Sequence, residues 1–205
     1  MRRPVAVWVT ALGILTMGTV ASADPILAPG SLWEYTFSNP TGDQTWNTTT
    51  GGGWLTGLAP FGNNIGGSYD PLGLFNYQTL WKADAADGDD LWVRTTFDTD
   101  GFNLGSIHWN LGVDNGFKLY LNGAQVGGAN GEGYTFRWEY TGNFGASLLP
   151  GTNVLAVALE DHGGLTAFDM EVVGTPVPEP SSFLLLATAL VGLTGARRRL
   201  SRRSH

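Results

Sequence analysis

Hydrophobic and polar positions alternate one by one along residues 91–97 and 107–113 in the middle of the chain. Successive side chains of a β-strand point to opposite faces of its sheet, so a period of two predicts strands with one buried face. The positions predicted to face the core are Leu91, Val93, Thr95, Phe97, Ile107, Trp109, Leu111 and Val113. Trp92 and Arg94 are therefore expected on the opposite face.

The next stretch has the pattern of a hairpin. Residues 117–121 follow Asp114-Asn115-Gly116 and end at Asn122-Gly123, before Ala124. Asn-Gly is the strongest short signal for a two-residue hairpin turn, because both residues accept positive φ angles. We expect residues 117–121 to pair with a strand that starts at Ala124.

Three further strands are predicted. Residues 154–159 are apolar on both faces, which is typical of a central strand, and residues 166–173 alternate again. Residues 32–37 are expected to be the first strand. Residues 41–77 are rich in Gly, Asn, Thr and aromatic residues without a clear period, so they predict long surface loops with some short strands.

Composition supports an all-β domain over residues 24–175. This span holds 26 of the 30 glycines and seven of the eight tryptophans, and it contains no long helical pattern with caps. Its 152 residues have the size of one domain. Short strands closed by glycine turns predict a two-sheet antiparallel sandwich, a jelly roll, because that arrangement closes the sheet edges.

The amino-terminal segment, residues 1–23, has the pattern of a secretory signal peptide. Arg2 and Arg3 precede an apolar run over residues 5–20, and Ala21-Ser22-Ala23 gives the small residues of a cleavage site. We expect a signal helix that is recognised by the general export machinery and cut by signal peptidase after Ala23. An uncleaved anchor is the alternative, but the run is short for a bilayer core of about 30 Å.

The carboxy-terminal segment, residues 177–205, shows three features in a fixed order. Val177-Pro178-Glu179-Pro180 is followed by an apolar run over residues 183–196 and by a basic end that starts at Arg197. Prolines disfavour helix in the residues before them, whereas the apolar run predicts a short transmembrane helix. The arginines are expected on the cytoplasmic side. A plain tail anchor after a proline-rich linker is the alternative.

These features resemble the PEP-CTERM sorting signal of bacterial proteins, with Pro178, Glu179 and Pro180 as its motif. The resemblance implies a precursor anchored in the membrane and cut near the motif by an exosortase-type membrane protease. It also implies an exported product that reaches the cell surface or an extracellular polysaccharide matrix.

A second resemblance concerns the domain. Residues 113–123 and 149–157 are similar to segments of galactose-binding-like jelly-roll domains, and the similarity covers roughly residues 81–173. The matching residues are mostly turn formers and core strands, so the resemblance implies a fold and names no sugar.

Charge and residue types argue against several functions. Residues 24–175 contain 17 acidic but only four basic residues, a net charge of −13, which argues against a nucleic-acid partner. The absence of cysteine excludes disulfides and cysteine catalysis.

No enzyme motif is present, so we expect no catalytic residues and no enzyme activity. His162 follows Glu160 and Asp161, where a solvated loop is favoured over a metal or acid–base site.

Two sets of residues are candidate binding sites. Asp84, Asp87, Asp89 and Asp90 lie close together in the chain, and hard oxygen ligands at this spacing suit Ca²⁺. No EF-hand pattern accompanies them. Structural calcium is therefore a hypothesis, with an acidic, solvated turn as its alternative.

The second candidate site is for carbohydrate, because flat aromatic faces cover the C–H surfaces of sugars while polar side chains bond their hydroxyls. Trp46 and Trp54 lie in a polar, glycine-rich region where exposure is expected, and Trp92 and Arg94 share the strand face that points away from the core. The leading hypothesis is thus a non-enzymatic exported protein that binds polysaccharide. Its rivals are a structural matrix protein without a ligand and, less favoured, a secreted polysaccharide hydrolase.

Overall fold

A computed structural model describes residues 22–63, 77–82, 89–131 and 137–177, and this part of the chain folds into twelve short strands. The strands are β1 Asp24–Leu27, β2 Leu32–Thr36, β3 Leu55–Leu58, β4 Phe61–Gly62, β5 Thr79–Leu80, β6 Asp89–Asp98, β7 His108–Asp114, β8 Gly116–Leu121, β9 Ala124–Ala129, β10 Tyr140–Asn143, β11 Thr152–Glu160 and β12 Ala167–Gly174. Two 3₁₀ turns, Leu104–Ser106 and Gly145–Ser147, accompany them.

The strands form two six-stranded sheets. Sheet A has the order β10-β7-β12-β4-β5, with β1 also paired to β12, and sheet B has the order β3-β2-β6-β11-β8-β9. The predicted all-β jelly-roll sandwich is confirmed. Its antiparallel pairing has one exception among the described strands, because β4 and β5 run parallel.

The inner faces of the two sheets form one core. All but one of the positions predicted to face it are buried there, including Val93 of sheet B and Leu111 of sheet A, neither of which exposes any surface. Thr95 is the exception, since it is half-buried and its hydroxyl donates to the carbonyl of Leu32. Aromatic side chains bridge the sheets, as where Trp109 meets Phe117 edge to face with ring centroids 6.1 Å apart.

The predicted hairpin and central strand are confirmed. Strands β8 and β9 pair across Asn122 and Gly123, whose φ angles of 50° and 86° are the positive values that this turn requires. Strand β11 lies between β6 and β8, and its side chains are buried on both faces along most of its length.

The amino-terminal part of the domain differs from expectation. Residues 32–37 are not the first strand, because β1 precedes them and β2 ends at Thr36. Strand β1 contains Pro25 and pairs at one end of β12. Proline has no backbone N–H to donate, and a strand tolerates this at such a position. Residues 41–63 include β3 and β4 as well as a long loop.

The predicted signal helix, the apolar run of residues 183–196 and the motif Pro178-Glu179-Pro180 lie outside the described residues, as does Ala21. Within the described ranges, no helix is long and apolar enough to span a membrane.

The strand register defines two ends of the sandwich. At one end, which we call the tail end, Asp24 pairs with Gly174 and Thr152 pairs with Asp98. At the other, the far end, Glu160 pairs with Gly116. Because a strand rises about 3.4 Å per residue, the nine residues of β11 separate the two ends by roughly 27 Å.

Candidate functional site

Two cross-strand rows of side chains cover the outer face of sheet B, which points away from the core. The row nearer the tail end consists of Glu34, Arg94, Ala156, Tyr120 and Gln125. The row nearer the far end consists of Thr36, Trp92, Ala158, Lys118 and Gly128. The prediction that Trp92 and Arg94 face away from the core is confirmed, since neither belongs to the core between the sheets.

The loop between β2 and β3 packs onto the middle of this face. Trp46 from the loop and Trp92 from β6 form a small second core on Ala156 and Ala158, with Tyr120 at its edge. The two alanines on the central strand leave space for the indole of Trp46, which stays only 6% exposed. The expectation that Trp46 is exposed is therefore wrong, and Trp92 is also buried, at 3% exposure.

Arg94 holds the loop in place. Its Nε donates to Glu34 Oε2 at 2.8 Å, its Nη1 donates to the carbonyl of Trp46 at 3.1 Å, and its Nη2 donates to the carbonyl of Gly51. The guanidinium also lies 3.9 Å from the ring centroid of Trp54. With 3% exposure and these partners, Arg94 serves to position the loop rather than to meet a ligand.

The four residues predicted for carbohydrate binding thus come together in one place. Trp46, Trp92 and Arg94 are buried there, and Trp54 is half-buried at the margin of the cluster. A cluster of this kind offers little open aromatic surface to a sugar. The surfaces beside it are the ones that remain accessible.

A cavity of about 360 Å³ opens beside the cluster toward the far end. It is lined by Phe117, Lys118, Gln125, Gly128, Ala129, Asn130 and Glu160. Its lysine, amide and carboxylate side chains are donors and acceptors of the kind that bond hydroxyl groups. Sequence reasoning missed this cavity, because its polar residues come from three strands and a loop. The only sequence signal for them is that the alternating pattern places the strand residues on the outer face.

A second groove, of about 200 Å³, lies on the opposite side of the cluster. It is lined by Leu32, Trp33, Glu34, Thr50, Thr56, Arg94, Thr95 and Thr96. The outer face of sheet B therefore presents two polar depressions separated by packed aromatic rings.

The far end also receives the two acidic segments that the sequence singled out. The carboxylate of Asp90 accepts the backbone N–H of Asp161 at 2.8 Å, and Nε2 of His162 lies 3.4 Å from Oε1 of Glu160. The backbone N–H of His162 donates to Oδ1 of Asn115 at 2.7 Å. The first contact joins the start of β6 to the segment after β11, and the last joins that segment to the link between β7 and β8.

The predicted calcium site is only partly covered by the described residues. Asp84 and Asp87 lie outside them, and Asp89 is described through its backbone alone. Among the side chains that the structure describes, no three His, Asp or Glu residues are placed to hold a metal ion. Calcium binding therefore stays a prediction.

Residues 176–199 match the family model of the PEP-CTERM protein-sorting motif. This confirms the sorting signal that Pro178, Glu179 and Pro180 indicated in the sequence. The motif implies an exported protein with a carboxy-terminal membrane anchor, handled by the export machinery and an exosortase.

No curated protein matches the chain. Among solved structures, a β-glucuronidase of Bifidobacterium dentium complexed with coumarin-3-O-glucuronide is 17% identical, with a TM-score of 0.45 over 73% of this chain and 22% of that one. A β-glucuronidase of an uncultured Clostridium sp. is 12% identical, with a TM-score of 0.48 over 80% of this chain and 31% of that one. This chain spans less than a third of either enzyme.

Proposed function

We propose that this exported protein is not an enzyme and binds a neutral polysaccharide with the outer face of sheet B. The observation that carries the proposal is the polar cavity beside the tryptophan cluster, lined by Lys118, Gln125, Asn130 and Glu160. The PEP-CTERM motif supports a destination at the cell surface or in a polysaccharide matrix, where such a ligand is abundant.

The size and the polarity of the cavity suit one or two sugar units. Its volume of about 360 Å³ lies at the lower end of the range of roughly 300–1,000 Å³ for small-molecule sites. Neutral sugars need many hydrogen-bonding partners in a small space, and the lining residues offer amide, ammonium and carboxylate groups. The acidic domain, with its net charge of −13 over residues 24–175, disfavours a polyanionic glycan.

The test measures retention of the purified domain on the exopolysaccharide of its native host. We expect the double variant Lys118→Ala and Gln125→Ala to bind roughly tenfold more weakly, because two lost hydrogen bonds remove about 1.4 kcal/mol. The matched control is Thr56→Ala with Thr96→Ala in the groove across the cluster, which should bind like the wild type.

The alternatives give different results. A structural matrix protein without a ligand predicts that the wild type itself is not retained. A secreted hydrolase predicts reducing sugars released from the polysaccharide. If the wild type and both double variants are retained equally, the binding surface lies elsewhere on the domain.

A further inference from the structure

The residues that lead into the sorting signal are part of the folded domain. The backbone N–H of Val177 donates to the carbonyl of Gly101 at 2.8 Å, and the carbonyl of Thr175 accepts from the N–H of Asn103 at 2.9 Å. Between them, Pro176 forms a bridge with Phe102. The fold therefore extends into the matched motif, which starts at residue 176, and no flexible linker separates the two.

The chain beyond Val177 is too short to let the domain move far from the membrane. The apolar run starts at Phe183, six residues later, and six extended residues span at most about 22 Å. The interfacial layer on each side of the hydrocarbon core takes up roughly 5–8 Å of this distance. Strand β1 leads to the same place, since Asp24 pairs with Gly174 and follows the predicted signal peptide directly.

Exposed apolar side chains surround the point where the tail leaves. Leu104 is 37% exposed, Leu149 is 50% exposed and Val177 is 53% exposed. Leu104 follows Asn103, the residue that bonds the tail, and the carbonyl of Leu149 accepts from the hydroxyl of Thr99 beside the same loop. These three residues, which we call the apolar rim, therefore belong to the tail end.

The charges at this end restrict the type of membrane. Asp24, Asp98 and Asp100 lie here, whereas the described lysines and arginines lie elsewhere, as shown by Arg94 in the middle of β6 and Lys118 toward the far end. Electrostatic attraction to anionic lipids is therefore absent, and contact relies on the apolar rim.

We infer that, in the anchored protein, the tail end rests on the membrane surface and the apolar rim enters the interfacial layer of a zwitterionic bilayer. The tether brings the rim to the lipid, and the burial of its side chains stabilises the contact. The polar cavity then stays clear of the bilayer, because Lys118 pairs with Ala158, six residues or roughly 20 Å along β11 from Thr152.

The test uses the full chain, which contains no cysteine and so accepts a single labelled one. Leu104→Cys carries a fluorophore at the rim, Leu55→Cys carries it on a leucine that is 57% exposed on strand β3, and Asn130→Cys carries it near the far end. Each variant is reconstituted into phosphatidylcholine vesicles that contain a lipid with a nitroxide on its headgroup.

We expect several-fold stronger quenching at position 104 than at positions 55 and 130. Replacing part of the phosphatidylcholine by phosphatidylserine should reduce the quenching at 104 at low salt, because the acidic tail end is then repelled. Equal quenching at position 104 and at either control position overturns the inference. The result does not depend on polysaccharide binding, so it tests the inference separately from the proposed function.

Discussion

The outer faces of the two sheets both carry an arginine that pairs with a carboxylate and lies over a tryptophan, but the strands supply opposite charges. On sheet B, the strand supplies the cation, Arg94. On sheet A, strand β12 supplies the anion, Asp169, and Arg137, which lies just before β10, reaches its Oδ2 at 2.9 Å. The guanidinium of Arg137 lies 4.6 Å from the ring centroid of Trp138.

The sign of each buried charge determines which groups can form hydrogen bonds with it. Arg94 has a carboxylate and two loop carbonyls as acceptors, so one side chain fixes a whole loop. Asp169 is fully buried and accepts N–H groups of Met170 and Gly30 as well as Arg137. Burial nevertheless raises its pKa above the usual value of 3.8, against the lowering effect of Arg137 and the backbone donors. A planar cation with several carbonyl partners thus organises structure, whereas the buried anion remains sensitive to pH.

The largest expected effect comes from removing the cation of sheet B. Arg94→Ala removes three charge-assisted hydrogen bonds, to Glu34 and to two loop carbonyls, so we expect a loss of about 3–5 kcal/mol in the free energy of unfolding. Urea unfolding followed by tryptophan fluorescence measures it. Arg94→Lys is the control, because it keeps the charge but not the three-way geometry, and it should lose less. A loss below about 1 kcal/mol for Arg94→Ala would show that the loop does not depend on the arginine.

The next effect compares two loop tryptophans, Trp46 on sheet B and Trp138 on sheet A. Trp46→Ala removes a side chain that is 6% exposed, and we expect a loss of about 3 kcal/mol. Trp138→Ala on sheet A removes a half-buried ring and should cost clearly less. Thermal unfolding of both variants compares them. Similar losses would mean that the loops on the two faces contribute equally, contrary to the burial of their tryptophans.

The smallest effect is a change in pH dependence. Because the pKa of Asp169 is raised, the folded protein binds more protons than the unfolded chain as the pH rises above 3.8. This group therefore contributes a fall in stability with rising pH in that window. In Asp169→Asn, this fall in stability with rising pH disappears. The stability of the variant relative to the wild type should therefore improve from pH 3.5 to 6. The usual pKa of a carboxyl group sets this window. Chemical unfolding across this range tests it, and parallel curves would contradict the raised pKa.

The sequence predicted the parts of the molecule that local pattern controls. Period-two alternation marked Leu91 and Trp109 as core residues and Trp92 as outward-facing, and Asn122-Gly123 marked its hairpin because the turn needs positive φ angles. The sorting motif was equally visible, since its three features follow one another along the chain.

The parts that the sequence did not predict depend on residues far apart in the chain. Trp46 is buried because Ala156 and Ala158, more than a hundred residues later, leave a hollow on the outer face of the sheet. The polar cavity likewise combines Lys118 and Glu160 from adjacent strands with Asn130 from a loop. A pattern along one strand does not reveal which neighbouring strand or loop will cover it.

The pairing of Asp24 with Gly174 brings the two boundaries of the domain within about 5 Å of each other. A few added residues would join them, and new ends could then be opened at an exposed turn such as residues 41–44, which gives a circularly permuted domain. The same closeness allows the sandwich to be inserted into a surface loop of another protein without stretching that loop. The domain is thus a transferable module whose connections to the rest of a chain meet at a single point.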